Sequence, residues 1–518
     1  MIAAVSRRDL MAMLCAGSTL GVMGFPKAAP ACDNALLRVG VDAFPQTLNP
    51  LEVRDLVASR VLAAMYEGLT RIDHNGQVQA ALAERWEPAD NGRLWRFHLR
   101  PGVRFHTGRT FTARDVKKTF EALLENPAAP SFAAPGLKKV LGHDDMVRNK
   151  GSELRGIEVI DEHTVDVRFS DPCAIFPFFK FLIVDVDFVK AHGPDWFMKG
   201  SAGTGPYRFS TWQPGVRVDL TAHDEWRDGG PAHGKVSFVV AGGREASIAA
   251  FNNNDADFVL IDADLVRKTV EGSGFRRSLI SCPRMQTRSI ALLQDRYPPF
   301  RDKRVRLAMS MMIDREAVAE RFFRGMAVVH NGLVPPLLLS DAGHQPLAYD
   351  PAGAERLLAE AGYPRGGGMP PLAVSTLPEF RQEFAYYVSQ WSNVGIPATL
   401  NVVPRNEFIA RSRKGEYVAY HMGWTAAYPD AMNFLGDLFG SDSPFNQIGW
   451  RSADFDRLIG QANAITNPTA RANLYRVAER LVLDDFPVLP LVVPDYVALR
   501  CSPIADRYLS PFGGLVVR

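Results

Sequence analysis

Cysteine is scarce in this chain: Cys15, Cys32, Cys173, Cys282 and Cys501 are the five among 518 residues. No two of them form a Cys-x-x-Cys pair, so the spacing offers neither a zinc site nor a dithiol redox motif. Long apolar stretches are missing too. No segment reaches the roughly 18 uninterrupted apolar residues that a membrane-spanning helix needs. Charge of one sign is also lacking: 59 Lys and Arg stand against 57 Asp and Glu. Setting aside residues 1–31, with Arg7, Arg8 and Lys27 against Asp9, leaves 56 of each. A formally neutral chain gives no support to nucleic-acid binding or to a polybasic membrane anchor. Signatures of catalysis are absent as well: no Gly-x-Ser-x-Gly elbow, His-Glu-x-x-His pair, phosphate loop or dinucleotide fingerprint. The eleven histidines show no metal-ligand spacing. We expect no catalytic residues, no metal and no cofactor.

What remains is an ordinary globular composition, 47% hydrophobic and 22% charged, long enough for two or three units with cores of their own. The N-terminus reads as an address. "SRRDLM" sets paired arginines before the apolar run "MAMLCAGSTLGVMGF", and Ala29-Pro30-Ala31 supplies small residues for a peptidase. The Arg7-Arg8 pair resembles a twin-arginine signal, implying export in the folded state and cleavage after Ala31. The product is then periplasmic. In that oxidising compartment one or two disulfides can form among Cys32, Cys173, Cys282 and Cys501, in pairs the sequence does not assign.

Along the chain, "LLRVGVDAF" predicts a buried strand and "LVASRVLAAMYEGL" an amphipathic helix. "RLWRFHLR" alternates Trp95, Phe97 and Leu99 with Arg96, His98 and Arg100, after the hairpin signal Asn91-Gly92. Thr112 and Asp115 form a capping box before a helix that buries Val116, Phe120 and Leu123. Residues 157–240 are rich in strands. After about residue 285, helices and strands alternate: "DKRVRLAMSMMIDREAVAERFF" is helical, and Asp350-Pro351 opens a helix that stops at Gly362. The final stretch from "FPVLPLVVPDYVALR" is extended again. The pattern is an α/β unit inserted between segments of a more β-rich one.

Several segments in a fixed order resemble one family, the extracellular solute-binding proteins of ABC importers in the peptide, nickel and opine group. They are "LNPL", "MYEGLTRID", "ALAERWEPADNGRLWRFHLRPGVRFHTGRTFTARDV", "GTGPYRF", "RDKRVRLAMSMMIDREAVAERFF", "YDPAGAERLLAEAGYP" and "GWTAAYPDAMNF". The resemblance implies an α/β, two-lobed periplasmic-binding-protein fold with an extra subdomain in the first lobe. It implies lobe one at 32–70, 196–284 and 482–518, the subdomain at 71–195 and lobe two at 285–481. It also implies capture of a small organic solute, modified peptide or metal chelate between the lobes, and delivery by a monomer to an ABC permease complex in the inner membrane. The other readings are an ordinary di- or oligopeptide-binding protein and, from another class, a secreted cofactor-containing enzyme or a solute sensor.

On the resemblance, "GWTAAYPDAMNF" lies in lobe two facing the cleft, with Trp424 and Tyr428 as candidate stacking rings around Thr425, Ala426 and Ala427. Asp430 and Asn433 are expected to hold the Pro429-Asp430 turn and the following helix. Peptide-binding members carry an aspartate just before the position of Tyr428, where it pairs with the peptide α-ammonium. Here that position is Ala427, which points to a ligand without such an amine. His330, in a loop near the cleft, and Thr204, in glycine-rich "GSAGTGPY", are the remaining candidate contacts. For that glycine-rich stretch a structural turn is the stronger expectation. Asp115, Asp314 and Asp350 read as caps or first-turn charges, and "RSRK", Arg411 to Lys414, as a surface run ending a helix.

Overall fold

The computed structural model describes residues 35–125, 134–149, 153–261, 263–266, 278–339, 348–501, 504, 508–512 and 514–515. The address segment, with Arg7, Arg8 and Ala31, lies outside them, as do Cys15 and Cys32.

Local signals in the sequence translate directly. Ala83–Ala89 and Leu94–Leu99 pair antiparallel across a turn in which Asp90, Asn91 and Gly92 all adopt left-handed backbone, the conformation that Asn-Gly favours. Trp95, Phe97 and Leu99 are buried beneath this hairpin. Its other face is wet but paired: Arg96 reaches Asp166 at 2.7 Å and His98 reaches Glu87 at 3.1 Å. The strands Thr164–Arg168 and Ile157–Asp161 complete a four-stranded antiparallel sheet. Helix Ala113–Leu124 covers it with Val116, Phe120 and Leu123. The Thr112 N–H donates to Asp115 Oδ2 at 2.8 Å, closing the expected cap.

Two larger sheets carry the rest. The first has seven strands, in the order Leu279–Cys282, Tyr496–Arg500, Phe258–Ile261, Leu36–Val41, Lys235–Val240, Arg217–Ala222 and Tyr207–Gln213. Leu36–Val41 lies at its centre, parallel to both neighbours, and is apolar enough to be buried there. The second has five strands: Ala398–Val402, Leu372–Thr376, Ala419–Thr425, Gln286–Leu292 and Val488–Pro490. Helices Lys303–Met311, Pro351–Glu360 and Arg381–Asn393 pack on one of its faces; Ala453–Ala464 and Pro468–Asp485 pack on the other. Asp350 caps the second of these by accepting from Gly353 N at 2.8 Å. The stretch from Asp302 to Phe323 is two helices and not one. Asp314 accepts from Ala317 N at 2.9 Å and so starts Arg315–Phe323 afresh.

The chain crosses between these sheets twice. Cys282 ends a strand of the first and Gln286 begins one of the second, with Met285 fully buried between them. On the return, Val488–Pro490 still belongs to the five-stranded sheet, although residues 482–518 are expected in lobe one. The seven-stranded sheet resumes only at Tyr496. The crossings touch where the Arg284 guanidinium lies 4.4 Å from the centre of the Tyr496 ring. This is a two-lobed mixed α/β architecture with a third, smaller sheet. Among the described residues no helix is long and apolar enough to cross a membrane. Cys501 is disulfide-bonded, whereas Cys173 and Cys282 are free thiols and drop out of the pairing scheme.

Candidate ligand-binding site

Strand Ala419–Thr425, the middle strand of the five-stranded sheet, carries the aromatic segment out beyond its C-terminal end. Its first three residues, Ala419, Tyr420 and His421, are buried as a central strand requires, and exposure rises toward its end, where Gly423, Thr425 and the following Ala427 are exposed. Asn433 organises the segment from behind. Its Oδ1 accepts from Ala427 N at 2.8 Å and from the Trp424 indole Nε1 at 3.3 Å, and its Nδ2 donates to Asp437 Oδ2 at 2.6 Å. Asn433 is therefore the strut that sets the indole and the Ala427 backbone, a role its place in the sequence does not announce. Asp430 does hold the turn, accepting from Met432 N at 3.0 Å. The same carboxylate also takes Arg471 Nη2 at 2.8 Å and Tyr475 OH at 3.0 Å.

The two candidate rings part company. The Trp424 ring stays partly accessible and packs 5.0 Å from Phe445 at an interplanar angle of 60°. Tyr428 is only 4% exposed and turns into the core of the small sheet's subdomain, with its ring 4.9 Å from Phe179. Its hydroxyl donates to Asp437 Oδ2 at 2.8 Å. Burial, and next the Asp437 charge, hold the phenol far above its ordinary range, and burial likewise raises the Asp437 carboxyl. Tyr428 thus joins the five-stranded sheet's lobe to the small sheet's subdomain and presents no ring face to a ligand in this arrangement. Arg471 makes a parallel contact, its guanidinium 5.7 Å from the Phe178 ring. The backbone adds another, as Ala174 N donates to Asn463 O at 3.2 Å.

The other candidates lie elsewhere. His330 Nε2 bonds the Val334 carbonyl at 2.6 Å, and the loop is pinned by buried Glu479, which accepts from Leu333 N at 2.6 Å and Val334 N at 2.9 Å. Thr204 is wholly buried. Its hydroxyl donates to Glu67 Oε2 at 3.1 Å, and Arg227 clamps the same carboxylate with two bonds of 2.6 Å. The glycines around Thr204 are there for space, since neither Gly203 nor Gly205 has positive φ. A Cβ on Gly203 would collide with the Met65 carbonyl oxygen, and one on Gly205 would stand 2.6 Å from the Met65 carbonyl carbon. The stretch is a structural crossing packed onto the end of helix Leu56–Met65.

Sequence reasoning passes over Phe445, an isolated phenylalanine among Gly440, Ser441, Asp442, Ser443 and Pro444. A lone apolar residue in a polar loop gives no periodic signal. A groove of about 760 Å³ on the seven-stranded sheet has no lining residue from the aromatic segment. Of its charged lining residues, Arg38 is paired with Asp257 at 2.7 Å and Arg217 with Asp219 at 3.0 Å. Among the described residues no group of His, Cys, Asp and Glu is arranged to hold a metal ion.

The pattern of the family described as bacterial extracellular solute-binding proteins, family 5 (Middle), matches residues 77–446. A probable deoxycholate-binding periplasmic protein of Escherichia coli is 25% identical over 490 residues, covering 90% of this chain and 89% of the other. Di/tripeptide-binding protein 1 of Pseudomonas aeruginosa is 27% identical over 484 residues, covering 87% of each. The unliganded open form of the periplasmic murein tripeptide-binding protein MppA superposes with a TM-score of 0.78 at 21% identity, over 95% of this chain and 98% of that one.

Proposed function

The chain belongs to the bacterial extracellular solute-binding proteins of family 5, and on that premise we propose that it captures a solute lacking a free α-ammonium for an ABC importer. The observation that carries this is the state of the carboxylates around Gly423–Phe434. Ala427 stands where the family resemblance places an acid in peptide-binding members. Both oxygens of Asp430 are engaged by Arg471, Tyr475 and Met432 N. Asp437 already accepts from Tyr428 and Asn433, in surroundings that disfavour its charge. An ammonium placed here would meet no counter-charge from this segment, and a charge that loses water without gaining a partner is disfavoured.

The ligand class is a small organic solute, a modified or blocked peptide, or a metal chelate. Trp424, Thr425 and Ala427 are its contacts in lobe two; Tyr428, His330 and Thr204 act in support. A probable deoxycholate-binding relative and a di/tripeptide-binding one mark the range the fold accommodates. Capture needs no catalytic group: a ligand with higher affinity for the closed arrangement drives closure by itself. We further propose periplasmic residence after cleavage near Ala31, action as a monomer, and an ABC permease complex as membrane partner.

The test is a calorimetric panel of free-amine di- to pentapeptides, N-acetylated peptides, deoxycholate and metal chelates. Ligands without the amine should bind at micromolar concentration or below, and Trp424→Ala should weaken them about tenfold through lost burial and stacking. Free-amine peptides binding equally tightly, and indifferent to Trp424→Ala, would overturn the proposal.

A further inference from the structure

We infer that Phe445 and Trp424 together form the ligand's docking corner, and that the solute presents an apolar ring face to it. The inference rests on the capture function proposed above and narrows its ligand class. Phe445 is 48% exposed, although large apolar side chains are usually covered. Scattered exposed apolar residues need no explanation, but this one is neither alone nor loosely held. Its ring stands 5.0 Å from Trp424 and is inclined by 60°, so the two form an open angle and not a closed stack. The loop beneath is fixed at several points. Asn446 Nδ2 lies 2.7 Å from Trp450 O, 3.2 Å from Gly440 O and 3.3 Å from Phe439 O. Phe445 N donates to Ser443 Oγ at 3.2 Å, Ser443 Oγ to the Asp437 carbonyl, and Ser441 N to Asp456 Oδ1 at 3.0 Å.

An exposed ring whose backbone is already immobilised loses little conformational freedom on binding, which is the economical way to build an apolar contact. Asn433 fixes the other wall by holding the Trp424 indole. Thr425 and Ala427, both exposed and uncharged, extend the surface beside the corner. Two inclined rings next to small neutral side chains suit a rigid ring system with one apolar face better than an extended peptide, whose backbone needs polar partners.

The probe is 1-anilinonaphthalene-8-sulfonate, an aromatic anion with an apolar naphthalene face and no ammonium, compared with N-acetyl-trialanine amide, which has neither ring nor ammonium. The wild-type chain should bind the ring probe at one site. Phe445→Ala should weaken that binding about tenfold, Phe445→Trp should restore it, and neither should move affinity for the acetylated peptide by more than twofold. Phe445 is half exposed and is not part of a buried cluster, so thermal unfolding should change little in both variants. No single-site binding of the ring probe, or equal affinity in wild type and Phe445→Ala, would overturn the inference. If the acetylated peptide still bound in that case, the capture function would stand and only the docking corner would fall. Tight binding of unblocked trialanine, indifferent to Trp424→Ala, would instead remove the capture proposal itself.

Discussion

The Gly203–Pro206 crossing and the Trp424–Tyr428 segment both attract attention in the sequence, and the protein treats them in opposite ways. In the crossing the Thr204 hydroxyl and the Gly203, Gly205 and Pro206 carbonyls are turned inward to protein partners. Thr204 serves Glu67, Glu67 serves Arg227, and the Gly205 carbonyl accepts from His106 Nε2–H at 2.9 Å, with His223 Nδ1 at 3.3 Å. In the aromatic segment the charged and amide groups lie behind, on Asn433 and Asp437, and the exposed surface is left small and uncharged. A stretch whose hydrogen-bonding capacity is satisfied internally is scaffold. A stretch braced from behind with bare small side chains in front has capacity left for a ligand. Changes in the first should therefore move stability, and changes in the second should move affinity.

The sharpest test of that contrast is Glu67→Ala. It leaves Arg227 and the Thr204 hydroxyl without their buried acceptor. Because Arg227 is partly exposed, we expect a loss of about 2–3 kcal/mol, below the full cost of breaking a buried pair. Urea unfolding should register it, while the folded fraction should bind N-acetyl-trialanine amide within twofold of wild type. A large affinity loss at unchanged stability would break the comparison.

Next in size is the response to acid. Burial, the dominant cause, holds the His106 imidazole down at about 3, and it lowers His223 as well. Arg208 lowers both, while Asp224 and Glu225 pull His223 the other way. The folded state refuses a proton that the unfolded chain takes up below about pH 6.5, so stability is complete above that pH and is lost as pH falls toward 3. At pH 5 one such group accounts for about 2 kcal/mol. Thermal melts at pH 7 and 5 should show His106→Gln recovering a loss of that size. An identical pH dependence in both proteins would count against the burial of the crossing.

The smallest effect belongs to the other region. Ala427→Asp puts a carboxylate on an exposed surface, where an ion pair contributes at most about 1 kcal/mol. Affinity for unblocked trialanine should rise by up to about fivefold by competition calorimetry, with unfolding unchanged. No gain would mean that the ligand's amino end lies elsewhere in the cleft.

How much of this was legible beforehand depends on the distance over which each feature is decided. The Asn91-Gly92 hairpin, the Trp95/Phe97/Leu99 alternation, the Thr112–Asp115 box and the Asp350 cap involve groups within a few residues of one another. Local backbone geometry fixes them, and the sequence shows them directly. The split at Asp314 was half visible: the cap could be read, but the break it enforces was absorbed into one long helical pattern. The family's motif order also carried the two-lobed architecture. Tertiary structure alone decided which polar groups were free. Thr204 looks like a candidate contact until Glu67, 137 residues away, takes its hydroxyl. Tyr428 looks like a stacking partner until Phe179 covers its ring and Asp437 its hydroxyl. Phe445 looks like a stray loop residue until Trp424 stands beside it. Periodicity reports which face of an element is apolar. Whether a given side chain still has something to offer a ligand depends on partners that only the folded chain brings within 3 to 5 Å.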